Sequence, residues 1–188
     1  MASRFTLRNS SSGYGLVAIG LHWLMALAII GMYPLGLYIE TLDYYDPNYR
    51  IIPHWHKSIG LLLAITLCLR LGWRIANPRP APLPQHKPWE QRMARITHHL
   101  LYLLMACVFA AGYLISTADG RAIEVFNWFT VPALPPLLEN QEDVAGELHY
   151  WLATGLVSLA SIHALAALKH HFIDRDGTLR RMLKSEHK

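Results

Sequence analysis

The chain has 188 residues, 53% of them hydrophobic and 16% charged, with a formal net charge of +4 at pH 7. That length suits one domain, and the basic residues flank apolar stretches, so the charge reports topology and gives no sign of nucleic-acid binding. The two cysteines, Cys68 and Cys107, fall mid-stretch in different apolar segments, which excludes a structural disulfide, and the absence of CxxCH excludes covalently attached c-type haem.

Four apolar spans are expected, at about 15–39, 57–75, 98–116 and 148–168. The first is too long for a signal-peptide core, lacks a small-residue cleavage site and contains His22, so it reads as a retained membrane helix. The second opens with His56 and ends with Arg70 and Arg74, whose long side chains can snorkel to headgroups. Residues 77–88, NPRPAPLPQHKP, form a basic, proline-rich strap expected to be extended. The third span is the shortest and crosses only if His98, His99 and Ser116 sit at the interfaces. Two spans with two buried helices is the alternative. In the connection 116–147, the prolines of VPALPP forbid a spanning helix, and the Trp and Phe content suits an outer interfacial segment. The tail after the fourth span is basic and weakly amphipathic.

Orientation follows from the basic residues. Arg4, Arg8, the second connection and the tail put fourteen lysines and arginines on one side, against Arg50, Lys57 and Arg121 on the other. Both termini are therefore expected in the cytoplasm. The fold class is an all-α integral membrane four-helix bundle in a single membrane-embedded domain.

Histidines carry the functional signal. His149 and His163 stand fourteen residues apart in LHYWLATGLVSLASIHALAAL. On a helix that separation is roughly 21 Å along the axis and about 40° around it, so one face carries a ligand-capable imidazole near each membrane surface. His22 matches His163 in depth, and His56 matches His149, which gives an inner and an outer pair. Each has Ala or Gly one turn later (Ala26, Gly60, Ala153, Ala167), room for a flat macrocycle. His54 competes with His56, since residues two apart point to opposite faces. His98 and His99 suit interfacial polar contacts, a propionate or a quinone. His170, one heptad past His163, suits either solvent or the border of a quinone pocket. His86 and His187 read as ordinary exposed residues.

Paired axial histidines saturate an iron porphyrin and favour electron transfer over oxygen chemistry. The chain lacks the dense histidine boxes of a membrane di-iron site and has no HExxH. Two noncovalent b haems per chain are expected, on His22/His163 and His56/His149.

With LHW around His22, HKSIG from His56, RLGWR closing the second span, HHLLYLL, LHYWLA, IHALAALKHHF and the tail DGTLRRM, the chain resembles the bacterial cytochrome b561 family over nearly its whole length. The resemblance implies an inner-membrane cytochrome with axial ligands at His22, His56, His149 and His163. It also implies electron exchange with ubiquinone beside the inner haem, where Arg70, Arg74, His98, Lys169 and His170 are candidate quinone or propionate contacts. The function expected is oxidoreduction between an outer-side donor, superoxide among the candidates, and quinone. A membrane-anchoring cytochrome subunit for a partner redox enzyme is the alternative, and a histidine proton relay is a third reading.

Overall fold

The computed structural model describes residues 6–185; Arg4, His187 and Lys188 lie outside them. The elements in order are α1 (Leu16–Ile39), α2 (Ile51–Ala76), α3 (Pro88–Ser116), a hairpin of β1 (Ile123–Val125) and β2 (Phe129–Val131), α4 (Gln141–Phe172) and a 3-10 turn at Arg180–Met182. All four α-helices are long and apolar enough to cross a membrane. Their surfaces expose Leu24, Leu27, Ile30, Leu69, Leu103 and Leu165, side chains that suit lipid rather than water.

Three helices run past their apolar spans, for local reasons. α3 begins at Pro88, where a missing N–H costs nothing in the first turn. The Lys87 amide there donates to Glu90 Oε2 at 2.9 Å, closing half of a capping box. α4 begins at Gln141 with Glu142 and Asp143 in its first turn, where carboxylates oppose the helix dipole favourably. α2 begins at Ile51, so His54 and His56 both belong to its first turns.

The chain packs as two compact units. The first comprises residues 6–26, 66–101 and 158–185. Here the segment before α1, the strap and the tail are stitched together. Asn9 Nδ2 donates to the Pro78 carbonyl at 3.2 Å, the Ala81 amide to Ser11 at 2.9 Å, and Arg181 to Ala81 at 2.7 Å. Trp23 Nε1 donates to the Met182 carbonyl at 2.6 Å, and Ser185 Oγ lies 3.4 Å from both the amide nitrogen and the carbonyl oxygen of Thr6. Residues 77–87 of the strap have neither helix nor strand, in keeping with their prolines.

The second unit comprises residues 27–65 and 102–157. It contains the hairpin, which the composition of the 116–147 connection did not signal. β1 and β2 pair antiparallel, Ile123 opposite Val131 and Val125 opposite Phe129. Phe126 and Asn127 have φ of 47° and 58°, both left-handed, in a three-residue turn closed by the Trp128 amide on the Val125 carbonyl at 2.8 Å. The Phe126 ring packs edge-on against Trp55 and His54, with centroids 5.2 and 6.4 Å away.

Ser58, fully buried on α2, fixes this turn. Its hydroxyl accepts from the Phe126 amide at 3.1 Å and donates to the Glu124 carbonyl at 3.4 Å. Ser58→Ala leaves both backbone groups without that partner, and a loss of about 1–3 kcal/mol in stability is expected. Denaturant unfolding measures it, with faster proteolysis in the hairpin as the local sign.

Candidate functional site

Within the first unit, α1 presents His22 and α4 presents His163, with ring centroids 6.4 Å apart and planes at 79°. Arg70, from α2, donates through Nη2 to His22 Nδ1 at 2.9 Å. A guanidinium has no acceptor, so His22 Nδ1 is the acceptor and the neutral ring carries its hydrogen on Nε2. His98, on α3, lies edge-on against His163 at 5.2 Å. Arg74 follows Arg70 by one helical turn on the same face of α2.

Within the second unit, α2 presents His56 and α4 presents His149, with centroids 6.2 Å apart and planes at 74°. His149 Nδ1 donates to the Val108 carbonyl of α3 at 2.9 Å, which leaves Nε2 as the bare nitrogen. His56 Nδ1 is buried with no hydrogen-bond partner among the described residues. Both rings line a cavity of about 650 Å³, bordered by Gly36, Gly60, Gly112, Ala153 and Ile123. Carboxylates of Glu40, Glu142, Asp143 and Glu147 also line it, together with Lys57. His54 faces Phe126 of the hairpin, while its competitor His56 faces His149.

Both pairs pass a metric test for a shared metal. A metal–imidazole bond is about 2.0–2.1 Å, and the ring centre lies about 1.1 Å behind the ligating nitrogen; two imidazoles on opposite sides of one metal therefore have centres about 6.3 Å apart. The two pairs, at 6.4 and 6.2 Å, match this; His98 and His163, at 5.2 Å, are too close for it. The cavity around His56 and His149 lies within the range of cofactor sites. The residues present thus fit bis-histidine haem. At His22 and His163, ligation through His22 Nε2 would shift the hydrogen to Nδ1 and release Arg70 to pair with a carboxylate.

Two glycines were missed from sequence. A Cβ on Gly112 would stand 3.1 Å from His149 Cε1 and 3.2 Å from its Nδ1, and one on Gly36 would stand 3.4 Å from His56 Cε1. The usable signal was a glycine on a neighbouring helix at the depth of a histidine. Of the small residues one turn past each histidine, Gly60 and Ala153 line the cavity beside His56 and His149.

One polar residue sits elsewhere than expected. His86 is half-buried rather than exposed, with Nε2 3.0 Å from both Asp176 Oδ2 and Thr178 Oγ1. The strap folds against the segment after α4, a contact that no local pattern announces. His170 Nδ1 lies 2.9 Å from Asp174 and 3.0 Å from Asp176, so it faces carboxylates rather than solvent. Lys169 pairs with Asp174 at 2.6 Å and Glu90 at 3.6 Å. His99 is exposed and donates to the Arg95 carbonyl at 2.6 Å.

Residues 13–185 match the family model described as prokaryotic cytochrome b561. The chain is 49% identical over 175 residues to cytochrome b561 homolog 2 of Escherichia coli (strain K12), covering 93% of each chain. It is 29% identical over 175 residues to the probable superoxide oxidase CybB of Yersinia pestis, covering 90% of this chain and 95% of that one. Cytochrome b561 homolog 1 of Escherichia coli (strain K12) is 24% identical over 174 residues, covering 88% and 93%.

Proposed function

The chain belongs to the prokaryotic cytochrome b561 family of multi-pass inner-membrane electron-transfer proteins, and from that premise we propose that it is a di-haem b cytochrome carrying electrons from an outer-side donor to ubiquinone. What supports the reading above all is the separation of the two histidine pairs, 6.4 and 6.2 Å between ring centres. His22 and His163 would hold the inner haem, and His56 and His149 the outer one. Bis-histidine haem b supplies one-electron transfer with no open axial position.

The protein's own groups set the conditions. The Val108 carbonyl fixes the His149 tautomer and orientation and makes that ring a more basic ligand. Arg70 brings positive charge to the inner pair. Arg70, Arg74 and His98 border that pair or the face leading from it, and quinone or propionate contact is proposed for them. His170 is held between two carboxylates. The hydrogen bonds between the segments at both ends of the described chain agree with termini on one side, which the basic residues assign to the cytoplasm.

A dithionite-reduced minus oxidised spectrum of the purified protein tests the reading. About two b-type haems per chain are expected; none, after adequate haem supply, overturns it. A relative's name makes superoxide a candidate donor. Glu40, Glu142, Asp143 and Glu147 around the outer cavity should repel that anion, so its oxidation is expected to speed up as salt rises. Slowing by salt would mean that Lys57 steers it in. A subunit anchoring a partner enzyme would instead co-purify with a soluble redox protein and show little activity alone.

A further inference from the structure

Apart from the paired histidines, a second group of ligand-type side chains converges within the first unit. His86 comes from the strap, His170 from the last turn of α4, and Asp176 from the segment after it. Their Nε2, Nδ1 and Oδ2 atoms all lie within 4.8 Å of one another. Asp176 Oδ2 is 3.0 Å from each nitrogen, and the two rings stand 4.7 Å apart between centres. The Asp176 side chain is 3% exposed, whereas those of His86 and His170 are 17% and 15% exposed. A nearly buried carboxylate thus lies against two partly exposed imidazoles.

The carboxylate is fixed from behind. The Thr178 amide donates to Oδ1 at 2.8 Å, which turns Oδ2 toward the rings. Burial alone would raise the Asp176 carboxyl; the hydrogen bonds from Thr178 and His86 and the charge of His170 outweigh it and hold the group at about 2.

We propose that His86, His170 and Asp176 form a binding site for a zinc-type divalent cation, distinct from the paired-histidine sites and clasping the strap to the end of α4. Two imidazoles and one carboxylate are a zinc donor set, with water as the fourth ligand. Donor atoms around a tetrahedral zinc are about 3.3 Å apart, given bonds of about 2.0–2.1 Å. The 3.0 Å separations need only a small expansion to admit it. His170 Nδ1 carries one hydrogen but faces Asp174 at 2.9 Å as well as Asp176 at 3.0 Å. Glu90, His170 and Asp174 form a neighbouring triad, but the Lys169 ammonium already answers its two carboxylates.

The test is zinc uptake by the full-length, tag-free protein in detergent, carrying its purified haem complement and stripped of loose metal with a chelator. Titration of Zn²⁺ against a chromophoric competitor should give one ion per chain, with a rise in thermal midpoint on binding. Asp176→Asn and His86→Gln should each weaken uptake at least tenfold and lose the thermal rise, with the visible spectrum unchanged. His99→Gln, outside the cluster, should bind as the parent does. Should Asp176→Asn fail to accumulate, His86→Gln decides. Substoichiometric uptake by the parent, or full uptake by His86→Gln, overturns the site. None of these readouts depends on the identity of the electron donor.

Discussion

Replacing His149 with alanine is expected to lower the haem content from about two per chain to about one, with the surviving haem keeping a low-spin bis-histidine spectrum. The ring is fixed from two sides, by its position on α4 and by the 2.9 Å bond from Nδ1 to the Val108 carbonyl. Its partner His56 would already hold the haem as the other ligand and could not serve twice. His54 cannot either, since its ring faces Phe126. His22→Ala is expected to give the same halving through the other pair. His54→Ala should retain both haems, and this result separates it from His56. Pyridine haemochrome per chain measures all three. Two haems retained in His149→Ala would remove the outer ligand assignment.

Gly112→Val should act almost as strongly without touching a ligand. Val108 and Gly112 are one turn apart on α3, so a single helical face supplies both the acceptor that holds the His149 ring and the open surface on which it rests. A Cβ at 3.1–3.2 Å from Cε1 and Nδ1 forces the ring to give by a few tenths of an ångström, and valine's methyl groups add to the crowding. The ring cannot retreat without stretching its bond to Val108. A spectroelectrochemical titration should show the two-component curve of the parent collapse toward one component. Gly112→Ala should be intermediate. Gly36→Ala, whose Cβ would meet His56 Cε1 at an ordinary 3.4 Å, should be tolerated. Equal tolerance at both glycines would mean that the His149 ring is not held where it stands.

These contrasts mark what was legible in the sequence. The four helices were, because unbroken apolar runs in a chain of this composition have few other uses. So was the pairing of His22 with His163 and of His56 with His149, because antiparallel helices convert sequence position into depth. The preference for His56 over His54 rested on distance from the span; the facing rings of His56 and His149 support it independently.

What escaped depends on contacts between distant segments. Gly36 and Gly112 matter only because another helix places an imidazole against them. The hairpin turn uses Phe126 and Asn127 at positive φ, where glycine would have signalled it, and holds them through Ser58 from another part of the chain. His86 looked like a solvated loop residue because Asp176 lies ninety positions away.

The stitching of Thr6 to Ser185 and Trp23 to Met182 has a consequence for biogenesis. These bonds join Thr6 and Trp23 to Ser185 and Met182, so none can form until the segment after α4 has been made. The unit holding His56 and His149 draws on nothing beyond Val157, whereas the unit holding His22 and His163 needs residues through the tail. With translation running from the N-terminus, the His56–His149 pair has all its parts first, and the His22–His163 pair gains its last supports only once the segment after α4 has followed.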